Sequence, residues 1–122
     1  VYRILIEQYE IEKLVESYFY IIDLPRALKY FGDSERHGYG SGPLEVQFST
    51  YHEPNEEYYI GDRKVCFIGE PPAYDEDVLV VMEYDQFYNY LITYSGKHLD
   101  EHPEDINKIN NLLEIIKSRL DI

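Results

Sequence analysis

Leu44-Glu45-Val46-Gln47-Phe48-Ser49 and Val78-Leu79-Val80-Val81-Met82 bracket the stretch that decides the fold, Gly42 to Met82. The first run places an apolar side chain on every second residue, the period of a strand with one buried face. Between the runs, Tyr58-Tyr59-Ile60, a Gly61-Asp62 turn and Lys64-Val65-Cys66-Phe67-Ile68 read as two further strands joined as a hairpin. The closing run is apolar throughout, so it is expected to be covered on both faces and central in the sheet. The connectors carry His52-Glu53-Pro54-Asn55-Glu56-Glu57 and Glu70-Pro71-Pro72-Ala73-Tyr74-Asp75-Glu76-Asp77. A rigid sheet holding out two carboxylate-rich loops is the main clue to function.

Helices flank this region. Ile4, Leu5, Ile11, Leu14, Val15, Tyr18, Phe19 and Ile22 recur at three- and four-residue spacing, although Tyr2 to Ile6 also reads as an edge strand. Asp23 caps a second helix from Pro25 to Phe31, with Pro in the first turn and Gly32 ending it. Residues 32–43 then read as a glycine-rich loop. Its glycines are not a phosphate cradle, because no Lys-Ser or Lys-Thr follows and a strand comes after it. A third helix starts at Glu83 or Asp85 and runs to Ser95, where Gly96 loosens it, and residues 97–102 form a connector. Pro103-Glu104-Asp105 opens the last helix, with Ile106, Ile109, Leu113, Ile116 and Leu120 as its buried stripe. The expectation is a single α+β domain over residues 1–122: an antiparallel sheet of about four or five strands within 44–82, packed by helices from both ends of the chain.

Composition narrows the function. The chain of 122 residues has 24 acidic and 11 basic side chains, and the excess is uneven. Residues 32–77 alone hold eleven acids against three bases. Such a field repels nucleic acid and anionic membranes and steers basic partners inward. Fourteen Tyr, five Phe and no Trp suit a sheet with a half-exposed, partner-ready face. The one cysteine, Cys66, lies in an apolar run and reads as a small core residue. No membrane span or signal-peptide pattern is visible, so a reducing, cytoplasmic setting is expected. The chain begins at Val1 without a Met, which leaves room for residues before it.

No catalytic constellation competes with binding. His37 and His52 flank the first strand as a ribonuclease-like pair would, yet an RNA-cleaving site needs cations, and this region is the most acidic of the chain. His98 and His102 are four apart, but Gly96 and Pro103 argue against one helix carrying both, and no Cys completes a zinc site. The acids stand in solvated runs rather than apolar pockets, and neither run has calcium-loop spacing. No enzyme activity, cofactor or metal is expected.

Ala27-Leu28-Lys29-Tyr30-Phe31, Gly38-Tyr39-Gly40, Glu45-Val46-Gln47-Phe48 and Glu53-Pro54-Asn55-Glu56 follow one another in order. Phe87-Tyr88-Asn89-Tyr90-Leu91, His102-Pro103-Glu104-Asp105 and Lys108-Ile109-Asn110 come after them. In this order and spacing the chain resembles the ribonuclease-toxin immunity proteins of bacterial contact-dependent growth inhibition systems, from about Ala27 to the C-terminus. The resemblance implies a small cytoplasmic inhibitor that binds a cognate nuclease toxin domain, with no catalytic residues. An acidic adaptor or nucleic-acid mimic is the alternative, and a histidine-dependent hydrolase a more distant one. For the inhibitor reading, the partner-facing residues are expected to be Glu53, Glu56, Glu57, Asp62, Glu70, Asp75, Glu76 and Asp77, with Tyr58 and Tyr74 as aromatic anchors. Stoichiometry stays open.

Overall fold

The computed structural model describes residues 2–122. Its sheet has five strands: β1 (Arg3–Ile4), β2 (Gly38–Ser41), β3 (Leu44–Phe48), β4 (Lys64–Gly69) and β5 (Val78–Glu83). Their spatial order is β1-β5-β4-β3-β2. The β2 to β5 neighbours are antiparallel, whereas β1 runs parallel to β5, so the sheet is mixed. The four helices are α1 (Gln8–Ile21), α2 (Leu24–Gly32), α3 (Tyr84–Glu101) and α4 (Ile106–Leu120). The α+β class is as the sequence predicts, and the strands expected at 44–49, 64–68 and 78–82 are found, each ending within one residue of its expected end.

Register explains which side the helices take. Phe48 stands beside Val65 and Met82, Val46 beside Phe67 and Val80, and Leu44 beside Gly69 and Val78. Residues opposite one another in a ladder share a face. These rows join Leu14, Val15, Tyr18, Phe19, Ala27, Leu28, Phe31, Phe87, Leu91, Ile109 and Ile116 in one buried cluster. Phe87 meets Phe31, Phe48 and Phe67 at centroid distances of 5.2, 5.7 and 6.0 Å. The remaining parity, Ile4–Leu79–Ile68–Glu45 and Val81–Cys66–Gln47, therefore points away from the helices. Cys66 and Ile68 are buried and yet lie outside the helix-side cluster.

Several expectations need correction. Val78–Met82 is not covered on both faces and is not central. Its burial alternates along the strand, Val81 is 36% exposed, and only the two-residue β1 lies outside it. Tyr58–Ile60 is not a strand. Both edges of β4 are already hydrogen-bonded, to β3 and β5, so this segment has no ladder to join and crosses the face instead. The expected loop at 32–43 contains β2, an edge strand paired with β3 through a tight Gly42-Pro43 turn. Gly-Tyr-Gly has no apolar alternation, so pattern alone misses it. Gly38 has φ 149°, and a Cβ there would come within 2.0 Å of the Val46 carbonyl oxygen, so only glycine permits this pairing. At the N-terminus the edge-strand alternative holds for Arg3–Ile4, and α1 starts later, at Gln8.

The helix ends also differ. Helix α3 continues through Gly96 and His98 to Glu101 rather than stopping near Ser95. A capping box between Glu83 and Gln86 starts it, and burial of Phe87 and Leu91 outweighs the roughly 1 kcal/mol an exposed helical glycine costs. A 3-10 turn, Pro103–Asp105, separates α3 from α4. There His98 Nε2 lies 2.8 Å from Asp105 Oδ2, and that bond holds the Asp105 carboxyl below its ordinary range. The rings of His98 and His102 are 4.8 Å apart. Helix α4 buries Ile109, Leu113, Ile116 and Leu120 chiefly against α2, with α3 next, and leaves Ile106 exposed. Its C-terminus is fixed by Arg119, whose guanidinium donates to the Phe31 carbonyl at 2.7 Å and to the Arg36 carbonyl, and covers the Phe48 ring. No described helix is long and apolar enough to cross a membrane.

Candidate binding surface on the open face of the sheet

One face of the sheet is left without helices, and the loop 49–62 folds across part of it. Ser49–Tyr51 forms a 3-10 turn, and Ser49 Oγ accepts from the Lys64 backbone N–H at 3.3 Å, pinning the loop's start to β4. Further on, the Glu53 backbone N–H donates to Glu56 Oε1 at 2.9 Å, and His52 Nδ1 lies 3.1 Å from Glu56 Oε2. The backbone bond and the imidazole together lower the Glu56 pKa. This local knot returns the chain so that Tyr58 and Ile60 lie over the face.

Beneath the loop is a cavity of about 220 Å³, with Tyr2, Tyr51, His52 and Tyr58 around it and Cys66 and Leu79 in its lining. Tyr2 and Tyr58 meet edge to face at 5.9 Å. Burial pushes the Cys66 thiol up to about 12, so it is an inert part of this lining. Beyond the loop, the outer part of the face shows aliphatic surface: Ile4 is 53% exposed and Val81 36%. Lys64 and Glu83 pair at the other end of the face.

The two acidic loops draw together around Tyr2. Tyr2 touches Tyr58 of the first loop, and Glu70 and Asp77 of the second are close enough to help burial raise the Tyr2 hydroxyl's pKa. Glu45, on the open face of β3, acts in the same direction. Of the residues singled out from sequence, Glu56, Tyr58, Glu70 and Asp77 thus belong to one neighbourhood, and Glu53 and Glu57 are exposed in the same loop as Glu56. Asp75 and Glu76 are exposed at the sheet's edge, where Glu76 pairs with Arg3 at 3.3 Å. Asp62 stands apart from them. It precedes β4, whereas Glu70 follows it, so roughly 20 Å of strand separates the two. Tyr74 lies on the helix side: a Cβ on Gly69 would come within 2.6 Å of its ring, and it packs against the main core.

Tyr2, Glu45, Tyr51, Ile60, Leu79 and Val81 also belong to this surface, although none is among the residues expected there from sequence. The signal for Leu79 and Val81 was present in the parity of β5 but was hidden because both parities are apolar. Elsewhere, His37 Nδ1 bonds Thr50 Oγ1 at 2.8 Å, so His37 and His52 have separate partners rather than a shared site. Among the described residues no group of His, Cys, Asp and Glu is arranged to hold a metal ion.

A family model described as CDI immunity protein matches residues 11–113. The chain belongs to the CDI immunity protein family. No curated protein and no solved structure matches it. Membership gives this immunity protein a toxin-neutralising role exercised by binding a cognate toxin partner. The matched span runs from α1 into α4 and contains all of β2 to β5, both acidic loops and the open face except Tyr2 and Ile4.

Proposed function

We propose that this immunity protein neutralises a ribonuclease toxin domain of a contact-dependent growth inhibition system, in the cytoplasm, by seating it on the open face of the sheet. The observation that carries the reading is an aromatic and aliphatic sheet face, free of helices, bordered by carboxylates from two loops. A nuclease domain must present Lys, Arg and His to bind phosphates, and the acidic border complements such a surface. Tyr58 and the apolar strip supply the lifetime of the complex. Glu53, Glu56, Glu57, Glu70, Asp75, Glu76 and Asp77 supply speed and partner choice from the rim, with Asp62 at the far end. Tyr74 acts from beneath, holding the 70–77 loop in place.

Inhibition is by occupancy, without turnover. Its support is the family's character and the separate hydrogen-bond partners of His37 and His52. The test is stopped-flow association with the cognate toxin domain at low and high salt. Reversing Asp75, Glu76 and Asp77 to Lys is expected to slow association and flatten its salt dependence. If reversing that loop together with Glu56 and Glu57 changes neither rate nor protection, the acidic border is not the docking rim. The purified protein is expected to leave RNA intact with or without divalent metal.

A further inference from the structure

The cavity under the 49–62 loop has a more specific chemistry than a general apolar pocket. Its aromatic residues form a connected wall: Tyr2 with Tyr58 at 5.9 Å, Tyr58 with His52 at 6.3 Å and His52 with Tyr51 at 4.9 Å. Tyr58 is 50% and Tyr51 52% exposed, so parts of the wall are reached from solvent. The border is anionic. The Asp77 carbonyl accepts from the Arg3 backbone N–H at 2.9 Å, so Asp77 stands next to Tyr2. Glu70 and Asp77 directly extend the paired strands β4 and β5, Glu45 lies across from Ile68 in the cavity lining, and Glu56 is bonded to His52. Among the described residues no Lys or Arg forms an ion pair with Glu45, Glu70 or Asp77, since Arg3 pairs with Glu10 and Glu76, and Lys64 with Glu83.

Aromatic faces next to unneutralised carboxylates favour a cation whose charge is spread over a plane. A guanidinium stacks on rings and donates up to five hydrogen bonds in its plane, whereas an ammonium is more strongly hydrated and lacks the flat surface. A wholly apolar side chain would dehydrate the bordering carboxylates and give nothing in return. We propose that this cavity receives an arginine side chain of the toxin, its guanidinium stacked on the Tyr58 ring, edge-on to the nearly perpendicular Tyr2 ring, and hydrogen-bonded to the carboxylates of Glu70, Asp77 and Glu45. The proposal rests on the open face being the toxin-binding surface and names the partner side chain at its centre.

The immunity protein alone can be titrated with Nα-acetyl-arginine methylamide, and with the citrulline analogue as its neutral near-isostere, while NMR follows Tyr2, His52 and Tyr58. The arginine probe is expected to give saturable shifts at these residues, with the citrulline probe weaker by about tenfold or more. Tyr58→Ser is expected to abolish the shifts. Glu70→Gln with Asp77→Asn, which leaves the aromatic wall intact, is expected to weaken binding by about fivefold or more even if the Tyr58 variant is poorly folded. Equal responses to the two probes, no saturable response to arginine, or full binding by the Glu70/Asp77 variant would overturn the assignment. These outcomes are independent of the toxin, so failure here stays distinct from a toxin that docks on another face.

Discussion

Arg119 and Gly38 are the two residues where a single change should cost most outside the apolar core. Arg119 is the link between the C-terminal turn of α4, the end of α2 and the ring of Phe48. Removing it orphans the Phe31 carbonyl and uncovers an aromatic face, so Arg119→Ala is expected to lower unfolding free energy by about 2–3 kcal/mol in urea denaturation. Gly38→Ala places a methyl against the Val46 carbonyl and is expected to cost about 1–3 kcal/mol, with fraying confined to β2 and read by amide exchange. At Glu56 the prediction is a titration. Its folded pKa lies below the ordinary glutamate value, first through the Glu53 backbone N–H and then through His52. The stability it adds is therefore present above the unfolded glutamate pKa and is lost as pH falls through the lower folded value. Carboxyl NMR titration should show His52→Ala raising the Glu56 pKa only part of the way, because the backbone bond remains.

Elements with one strong periodicity are legible from sequence, and those whose identity depends on a neighbour are not. The alternation in Leu44–Phe48, the cap at Asp23 and the apolar stripe of the last helix from Ile109 to Leu120 each carry their own instruction and appear where expected, Ile106 alone falling outside the stripe. By contrast, β2 exists because β3 offers an edge, and Tyr58–Ile60 is not a strand because β4 has no free edge to give. Neither fact is written in the segment concerned. The acidic loops were legible as composition, but their convergence on Tyr2 depends on β1 running parallel to β5, which places the chain's start beside Asp77. Helix α3 is a further case, since packing carries it across a glycine that local propensity treats as a stop. A Cβ on Gly96 meets nothing within 4 Å, so Gly96→Ala is expected to stabilise the protein by about 0.5–1 kcal/mol, with a higher melting temperature.

At the scale of the molecule, charge is sorted by face. The open face and its loops carry most of the acidic excess, while Arg26, Lys29 and Lys108 line a groove between α2 and α4. The resulting dipole would turn a basic partner toward the sheet before contact. The central claim is that the open face, not a helical face, holds the toxin. Two exposed aliphatic residues separate these directly: Val81 on the open face, 36% exposed, and Ile92 on α3, 47% exposed. Titration calorimetry with the cognate toxin domain should compare Val81→Arg with Ile92→Arg, each first checked for an unchanged fold. Val81→Arg is predicted to weaken binding by about a hundredfold or more, because it puts a cation and a long side chain into the apolar strip, while Ile92→Arg binds as wild type. Wild-type affinity in Val81→Arg with lost binding in Ile92→Arg would contradict the account and move the interface to the helices.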